Sequence, residues 1–262
     1  MGEGKVSENE GRSRPRLSAI IITKDEAANI AECLDSIAFC DERIVVDSGS
    51  TDGTLAIARE KGARVSLHAW QGFGAQKNHA LSLARGEWVL SIDADERVTP
   101  ELAAAIQEAL AKPSHDAYEI LRRSSFCGQM MRQSGWSRDF VLRLFRRGKA
   151  RFSDDVVHER VVAAGPVGRI KAPLLHHPVK RLEDAIRRMD TYSTLGAAQL
   201  VASGRKVSFA SGLAHGWFAF IRTYVLRLGF LDGRAGFLLA VANAEGTYYR
   251  YMKAWLARRS GG

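Results

Sequence analysis

The sequence predicts an α/β fold, a mostly parallel sheet with flanking helices, followed by a helical, basic C-terminal segment. Three observations predict it. Between Leu17 and Ala111, short apolar runs alternate with segments of helical spacing, the pattern of parallel strands joined by helices. The first run, "LSAIIIT", is apolar at consecutive positions rather than at every second one, as expected of a strand covered on both faces. After Lys112 the alternation stops, and a mixed region takes over.

The elements follow in order. Residues 17–23 form the first strand. In "DEAANIAECLDSI", Ala27, Ile30, Leu34 and Ile37 recur at helical spacing, with Asp25 as the expected N-cap. "RIVVD" (43–47) is the second strand. "STDGTLAIAREKG" is a loop and a helix, with Asp52 expected as its cap and Gly62 in the position that follows a helix end. "ARVSLH" is a third strand, "FGAQKNHALSLARG" a helix closed by Gly86, and "EWVLSID" (87–93) a fourth strand. Thr99 as N-cap and Pro100 at the first helical position open a helix over 99–111. Further on, "AYEILRRSSF" and "DFVLRLFRR" read as strands around a Gly/Ser/Met loop, and a helix of about a dozen residues starts at Leu182.

Bulk properties exclude several classes. The 262 residues suffice for a large core, and 46% hydrophobic with 26% charged residues is ordinary for a globular protein. Cys33, Cys40 and Cys127 make neither a CxxC pair nor an even framework, which argues against disulfides and zinc knuckles and for a reducing compartment. The leader "MGEGKVSENEGRSRPR" has no apolar stretch of the signal-peptide kind and reads as disordered and polar. From Arg205 onward, nine basic residues face only Asp232 and Glu245, so +7 of the net +9 lies there. A positive tail suits an anionic membrane surface or nucleic acid.

In a parallel α/β sheet, ligands bind beyond the carboxyl ends of the strands. Thr23, Asp47 and Asp93 all stand at such ends. No GxGxxG follows the first strand, which disfavours a dinucleotide site. In "SIDADERV", Asp93, Asp95 and Glu96 fall within four positions and need a positive partner: an arginine, a helix N-terminus or a metal ion. If the segment is extended, Asp93 and Asp95 point to one side, as a hard divalent cation requires, and Glu96 points away toward Arg97 or a neighbour. The Asp47 carboxylate suits a ring N–H and a ribose hydroxyl, with Thr23 and Glu26 flanking the same ring. Lys77, beside Asn78, is placed either to reach a phosphate or to sit on a solvated helix face. The run Arg143, Arg146, Arg147, Lys149, Arg151 faces either an anionic ligand or solvent. His158, His176 and His177 lack a matched ligand set and are expected to be structural.

"TKDEAANI", "VVDSGSTDGT", "QKN" and "DADER", in this order and spacing, resemble the nucleotide-sugar half of family 2 glycosyltransferases with their Rossmann-like GT-A fold. "VHERV" and "GFLDGRAG", with the basic C-terminus, resemble the subgroup of lipopolysaccharide-core β-glucosyltransferases. The resemblance implies a disordered leader (1–16), a nucleotide-sugar-binding half (17–112), an acceptor half (113–205) and a basic amphipathic tail (206–262). It implies that Asp47, with Thr23 and Glu26, binds the base, that Lys77 and Asn78 lie on the donor side, that Asp93 contacts the ribose or donor sugar, and that Asp95, with Asp93, ligates Mg²⁺ or Mn²⁺. Glu159 would deprotonate the acceptor hydroxyl, with Asp155 in reserve; pairing of Glu159 with an arginine is the alternative. The implied reaction inverts the anomeric centre and moves a sugar, glucose from UDP in the first instance, onto a glycolipid of the cell envelope; a polyprenyl-phosphate or other glycan acceptor stays open. No "QxxRW" motif is present, so a processive synthase is not expected.

Two other classes compete. A phosphohydrolase would need an aspartate-nucleophile loop after the first strand, which "IIITKDE" does not supply. A nucleic-acid-binding module would interleave basic and aromatic residues, which only the tail does, so no nucleic-acid partner is expected. The best apolar run of the tail, Val207 to Ile221, is short of the ~20 residues of a membrane span. The expectation is a peripheral contact with the inner face of the cytoplasmic membrane, the alternative a helical cap on the core.

Overall fold

The computed structural model describes residues 16–136, 139–153 and 160–260. The chain divides into two compact units. The first holds 16–121 and 140–174 of the described residues, and the second holds Arg122–Asp139 and the chain from Leu175 onward.

The first unit opens with β1 (Leu17–Thr23), α1 (Ile30–Ser36), β2 (Glu42–Asp47), α2 (Thr54–Glu60), β3 (Arg64–Leu67), α3 (Phe73–Leu83), β4 (Trp88–Ser91), β5 (Glu96–Val98) and α4 (Pro100–Ala111). Along the chain then come β6 (Ala117–Phe126), β7 (Gln129–Met130), β8 (Asp139–Arg146), β9 (Ala150–Phe152), β10 (Val161–Ala163) and β11 (Val167–Val179), of which β7 lies in the second unit and β6 and β11 end in it. The strand order is β3-β2-β1-β4-β8-β6-β11-β5, with β7 paired to β6. β3, β2, β1 and β4 run parallel, and β8 is antiparallel to β4. The expected mostly parallel sheet with flanking helices is what the chain adopts. β9 and β10 form a separate antiparallel pair.

The consecutive apolar runs are explained by two covered faces. Strand side chains alternate, so Leu17, Ala19 and Ile21 enter one cluster with Leu34 of α1 and Leu102 and Ile106 of α4. Ile20, Ile44, Val46 and Val89 enter the opposite cluster with Ala80 of α3 and with Phe145 and Phe152. Thr99 caps α4 as expected, accepting a hydrogen bond from the Leu102 N–H at 3.1 Å.

Two local expectations are corrected. Asp25 does not cap α1; that position belongs to Asn29, and Asp25 takes a left-handed φ of 54° in the loop before it. Gly86 does not close α3, which ends at Leu83; a Cβ there would lie 2.7 Å from the Ser18 backbone nitrogen, so glycine is needed for close approach.

The second unit is built on α5 (Leu182–Ala202), α6 (Phe209–Ile221) and α7 (Gly233–Ser260), with a π-helical turn at Arg222–Leu226 and a 3-10 turn at Gly229–Asp232. α5 is nearly twice the expected length. Its core joins Phe126, Met131, Val179, Ala185, Ala235 and Leu239. Asp232 knots it together, accepting from the Arg132 N–H at 2.8 Å and the Ser134 hydroxyl at 2.7 Å. Among the described residues, no helix is long and apolar enough to cross a membrane.

Candidate active site

Parallel register sets Thr23 of β1 directly beside Asp47 of β2, so the loops that follow both strands meet at one rim. Asp47 is fully buried and spends both oxygens on its own surroundings. Oδ1 accepts the Gly49 and Ser50 N–H groups, each at 2.8 Å, and Oδ2 accepts the Thr23 hydroxyl at 3.0 Å and the Ser50 hydroxyl. Burial alone would raise its pKa, but these hydrogen bonds hold it below the usual carboxylate range. A nucleobase contact to this carboxylate would therefore displace one of these bonds; in its present state Asp47 shapes the loop.

The two loops are laced at four further points. The Asp25 N–H donates to the Ser50 hydroxyl at 2.7 Å, and the Thr51 N–H donates to Asp25 at 2.8 Å. The Glu26 N–H donates to the Thr54 hydroxyl at 2.8 Å, and the Ala27 N–H to Asp52 at 3.1 Å. Glu26 itself accepts from the Asn29 amide at 2.7 Å. Asp52 accepts the Thr54 N–H at 3.0 Å from just outside Gly53, the residue that occupies the cap position. Sequence reasoning missed the bridging roles of Asp25 and Ser50; the left-handed turn that aims Asp25 at the second loop leaves no periodic signal.

The acid cluster differs from the extended arrangement expected of it. β4 stops at Ser91, and Asp93 to Glu96 form a turn closed by the Glu96 N–H donating to the Asp93 carbonyl at 2.9 Å. The i, i+2 argument for Asp93 and Asp95 therefore does not hold, because it requires extended backbone. Asp93 is instead gripped by Lys77 of α3, with Nζ 3.1 Å from Oδ1, and by Arg143 of β8 through Oδ2. Arg143 also binds Glu96 at 2.7 Å, and Glu96, fully buried, accepts the Asp93 N–H at 2.9 Å. Burial opposes the charge on Asp93, but Arg143 and then Lys77 outweigh it and hold its carboxyl well below the usual range. Arg97 pairs with Glu32 at 3.1 Å rather than with Glu96. The cation that Glu96 meets is Arg143, which it shares with Asp93.

Lys77 is thus neither solvated nor free of the acid turn. Its neighbour Asn78 is committed to β9: its amide donates to the Phe152 carbonyl and accepts the Phe152 N–H, both at 3.0 Å. The Ser153 N–H donates to the Arg160 carbonyl at 2.8 Å, and the Arg160 N–H to the Ser153 hydroxyl at 3.0 Å. The two ends of the segment that carries Asp155 and Glu159 are tied together in this way; both residues, and His158, lie outside the described residues. Of the basic run, Arg143 turns inward, whereas Arg146 is partly exposed, pairing with Glu87 and Asp116 and lying over the Trp88 ring. His176 and His177, in the second unit, hydrogen-bond the hydroxyls of Ser124 and Ser125 at 2.9 and 2.8 Å.

Asp93 and Asp95 supply hard oxygen donors of the kind Mg²⁺ or Mn²⁺ takes one or two at a time, completing its shell with water and phosphate oxygens. Among the described residues, no three His, Cys, Asp or Glu side chains converge as a ready metal cage. Arg143 Nε is buried with no hydrogen-bond partner among the described residues, which leaves one donor of the cluster unsatisfied.

The glycosyl transferase family 2 model matches residues 18–166. The lipopolysaccharide core biosynthesis glycosyltransferase LpsC of Rhizobium meliloti is 33% identical over 250 residues, covering 90% of this chain and 93% of that protein. An uncharacterized glycosyltransferase of Rickettsia felis is 33% identical over 91% of this chain and 89% of its own. Among solved structures, glucosyl-3-phosphoglycerate synthase from Mycobacterium tuberculosis, in complex with Mn²⁺, UDP and glucosyl-3-phosphoglycerate, is 27% identical over 42% of this chain and 44% of that one, with a TM-score of 0.37.

Proposed function

The chain belongs to glycosyltransferase family 2, and on that premise we propose that it moves a sugar, glucose from a UDP donor in the first instance, onto a lipopolysaccharide-core or related envelope glycolipid with inversion of the anomeric centre. The observation that carries the acceptor class is the reach of the LpsC similarity. The family model ends at residue 166, but the likeness to LpsC covers 90% of the chain and so includes most of the second unit.

The proposed roles follow from the site. Thr23, Asp47 and Glu26 fix the two loops that receive the nucleotide. Asp95, joined by Asp93, would hold Mg²⁺ or Mn²⁺, which when bound neutralises charge developing on the diphosphate leaving group. Asp93 has Lys77 and Arg143 on its two oxygens, and the role of first metal ligand is given to Asp95 on the family resemblance. Arg143 Nε is a buried donor for a phosphate or sugar oxygen. Glu159, or Asp155 in its place, takes the proton of the acceptor hydroxyl as the new bond forms.

The expected site of action is the cytoplasmic side of the inner membrane, held there peripherally. Exposed Trp217, Phe218, Leu226 and Leu231, with exposed Arg222 and Arg227 among them in the sequence, support this reading.

Product release from UDP-, GDP- and dTDP-sugars, with and without a lipid A-core acceptor, tests the proposal. Asp95→Ala is expected to lower transfer by about 10²–10³-fold, and EDTA to do the same to the parent; full activity in EDTA would remove the metal from the mechanism. Glu159→Gln should keep UDP binding and lose transfer, and near-normal turnover would shift the base to Asp155.

A further inference from the structure

The second unit holds an open-mouthed cavity of about 660 Å³, lined by none of the residues proposed to bind the donor. Its volume is within the range of small-ligand sites. The lining residues come from the ends of β6 and β11, from α5 and from α7, all within this unit. The floor is apolar, where Phe126, Val179 and Leu239 of the unit's core reach the surface of the cavity. The walls are cationic: Arg122, Arg188 and Arg250 contribute three guanidinium groups against the single carboxylate of Asp139.

Arg122 is already aligned by Asp139, with Nε 3.0 Å from Oδ2. Arg250 differs. Its Nε is buried and has no hydrogen-bond partner among the described residues. The side chain is seated by packing: a Cβ at Gly196 of α5 would come within 2.5 Å of Arg250 Cδ, so this glycine leaves room for the arginine stem, and the guanidinium lies 5.4 Å from the Tyr251 ring centroid. An unsatisfied buried N–H on a cation costs stability unless a ligand supplies an acceptor. Trp136 and Tyr192 add two aromatic side chains to the lining, which suit the apolar face of a sugar ring.

We propose that this cavity binds a phosphorylated sugar of the acceptor, its phosphate held between Arg188 and Arg250 and its ring against the aromatic wall. Guanidinium groups bind phosphate through paired, charge-assisted hydrogen bonds, and Arg250 has a donor to give. The inference rests on the glycosyltransferase reading for calling the ligand an acceptor; the binding of phosphate stands on the cavity alone.

Full-length protein is titrated calorimetrically with glucose 6-phosphate, with glucose and, separately, with UDP. Glucose 6-phosphate should bind and glucose should not. Arg188→Gln and Arg250→Gln should each weaken glucose 6-phosphate at least tenfold, with UDP affinity unchanged within twofold, and Arg250→Lys should retain part of the binding. Arg188 is exposed, so its replacement leaves the fold intact and keeps the test valid if Arg250→Gln does not fold. Equal binding of glucose and glucose 6-phosphate, or parent-like phosphate binding by Arg188→Gln and Arg250→Gln, overturns the proposal. Loss of UDP binding in the parent would instead count against the donor reading. A monophosphorylated glycolipid in detergent micelles should compete with glucose 6-phosphate; no competition overturns a lipid-linked source.

Discussion

Arg143 is the residue on which the acid turn depends. It is almost wholly buried and joins Asp93 to Glu96, so removing it leaves two carboxylates facing each other without a counter-charge beyond Lys77. Breaking a buried pair by deleting one partner costs about 3–5 kcal/mol, and Arg143→Ala should lose stability of that order in thermal or denaturant unfolding. The pH dependence follows from the depressed Asp93 pKa. A carboxyl lowered on folding contributes stability that is present above its unfolded value, near 3.9, and is lost as pH falls through the folded value. Stability of the parent should therefore fall steeply below about pH 4, and the Arg143→Ala variant, with Asp93 no longer held down, should show a shallower slope. The sequence displays the need for this arginine but not its address: three acids in four positions call for a cation, yet Arg143 is 47 residues from Glu96 and looks like one member of a basic run. The position of Thr23 is legible because it ends β1, whereas Asp93 and Asp95 lie beyond the end of β4, in a turn that the extended reading does not foresee. That Asp47 spends its oxygens inward is not legible, because its partners, the Gly49 and Ser50 N–H groups and the Thr23 and Ser50 hydroxyls, are set by loop geometry.

At the scale of elements, β1 to β4, β6, β8 and the first four helices are readable, because two covered faces demand consecutive apolar residues and capping residues mark boundaries, whereas β5, β7, β9, β10 and β11 are not, and His176 to Pro178, expected as a turn, lie in β11. Thr99 and Pro100 place α4 to within a residue. The length of α5 is not readable, since a Ser/Thr/Gly stretch breaks its pattern and Gly196 has a tertiary purpose, room for Arg250. α6 shows the same principle. A Cβ at Gly216 would lie 3.1 Å from Tyr248 Cβ and 3.3 Å from the Ala244 carbonyl oxygen of α7. Backbone cannot yield as a side-chain tip does, so Gly216→Val should prise α6 from α7. The expected loss is about 1–3 kcal/mol, read as a lower melting temperature. Gly212 faces chiefly the flexible end of Met252, and Gly212→Ala should be milder by the same measurement.

The whole molecule revises what the tail is. Its charge and aromatic content are plain from composition, but α7 supplies Ala235 and Leu239 to the core of the second unit, so the segment is part of a folded body and not an appendage. Removing it would unfold that unit, and membrane binding is better probed from the surface. Trp217 is 68% and Phe218 55% exposed on α6. Trp217→Glu with Phe218→Glu should reduce sedimentation with anionic vesicles about tenfold or more, given ~25 cal/mol per Å² of apolar area and two large rings. The melting temperature and UDP binding should be unchanged. Unaltered sedimentation would leave these rings without a membrane role.

One feature of α3 links two parts of the first unit. Lys77 grips the acid turn, and the next residue, Asn78, holds both backbone groups of Phe152, one residue before the tied ends at Ser153 and Arg160. Adjacent residues of α3 thus hold the acid turn and the end of β9. A helix turn is stiff, so a small rotation of α3 moves both grips together. The same stiffness forbids independent tuning of the two: a change that shifts α3 to improve one grip is felt at the other.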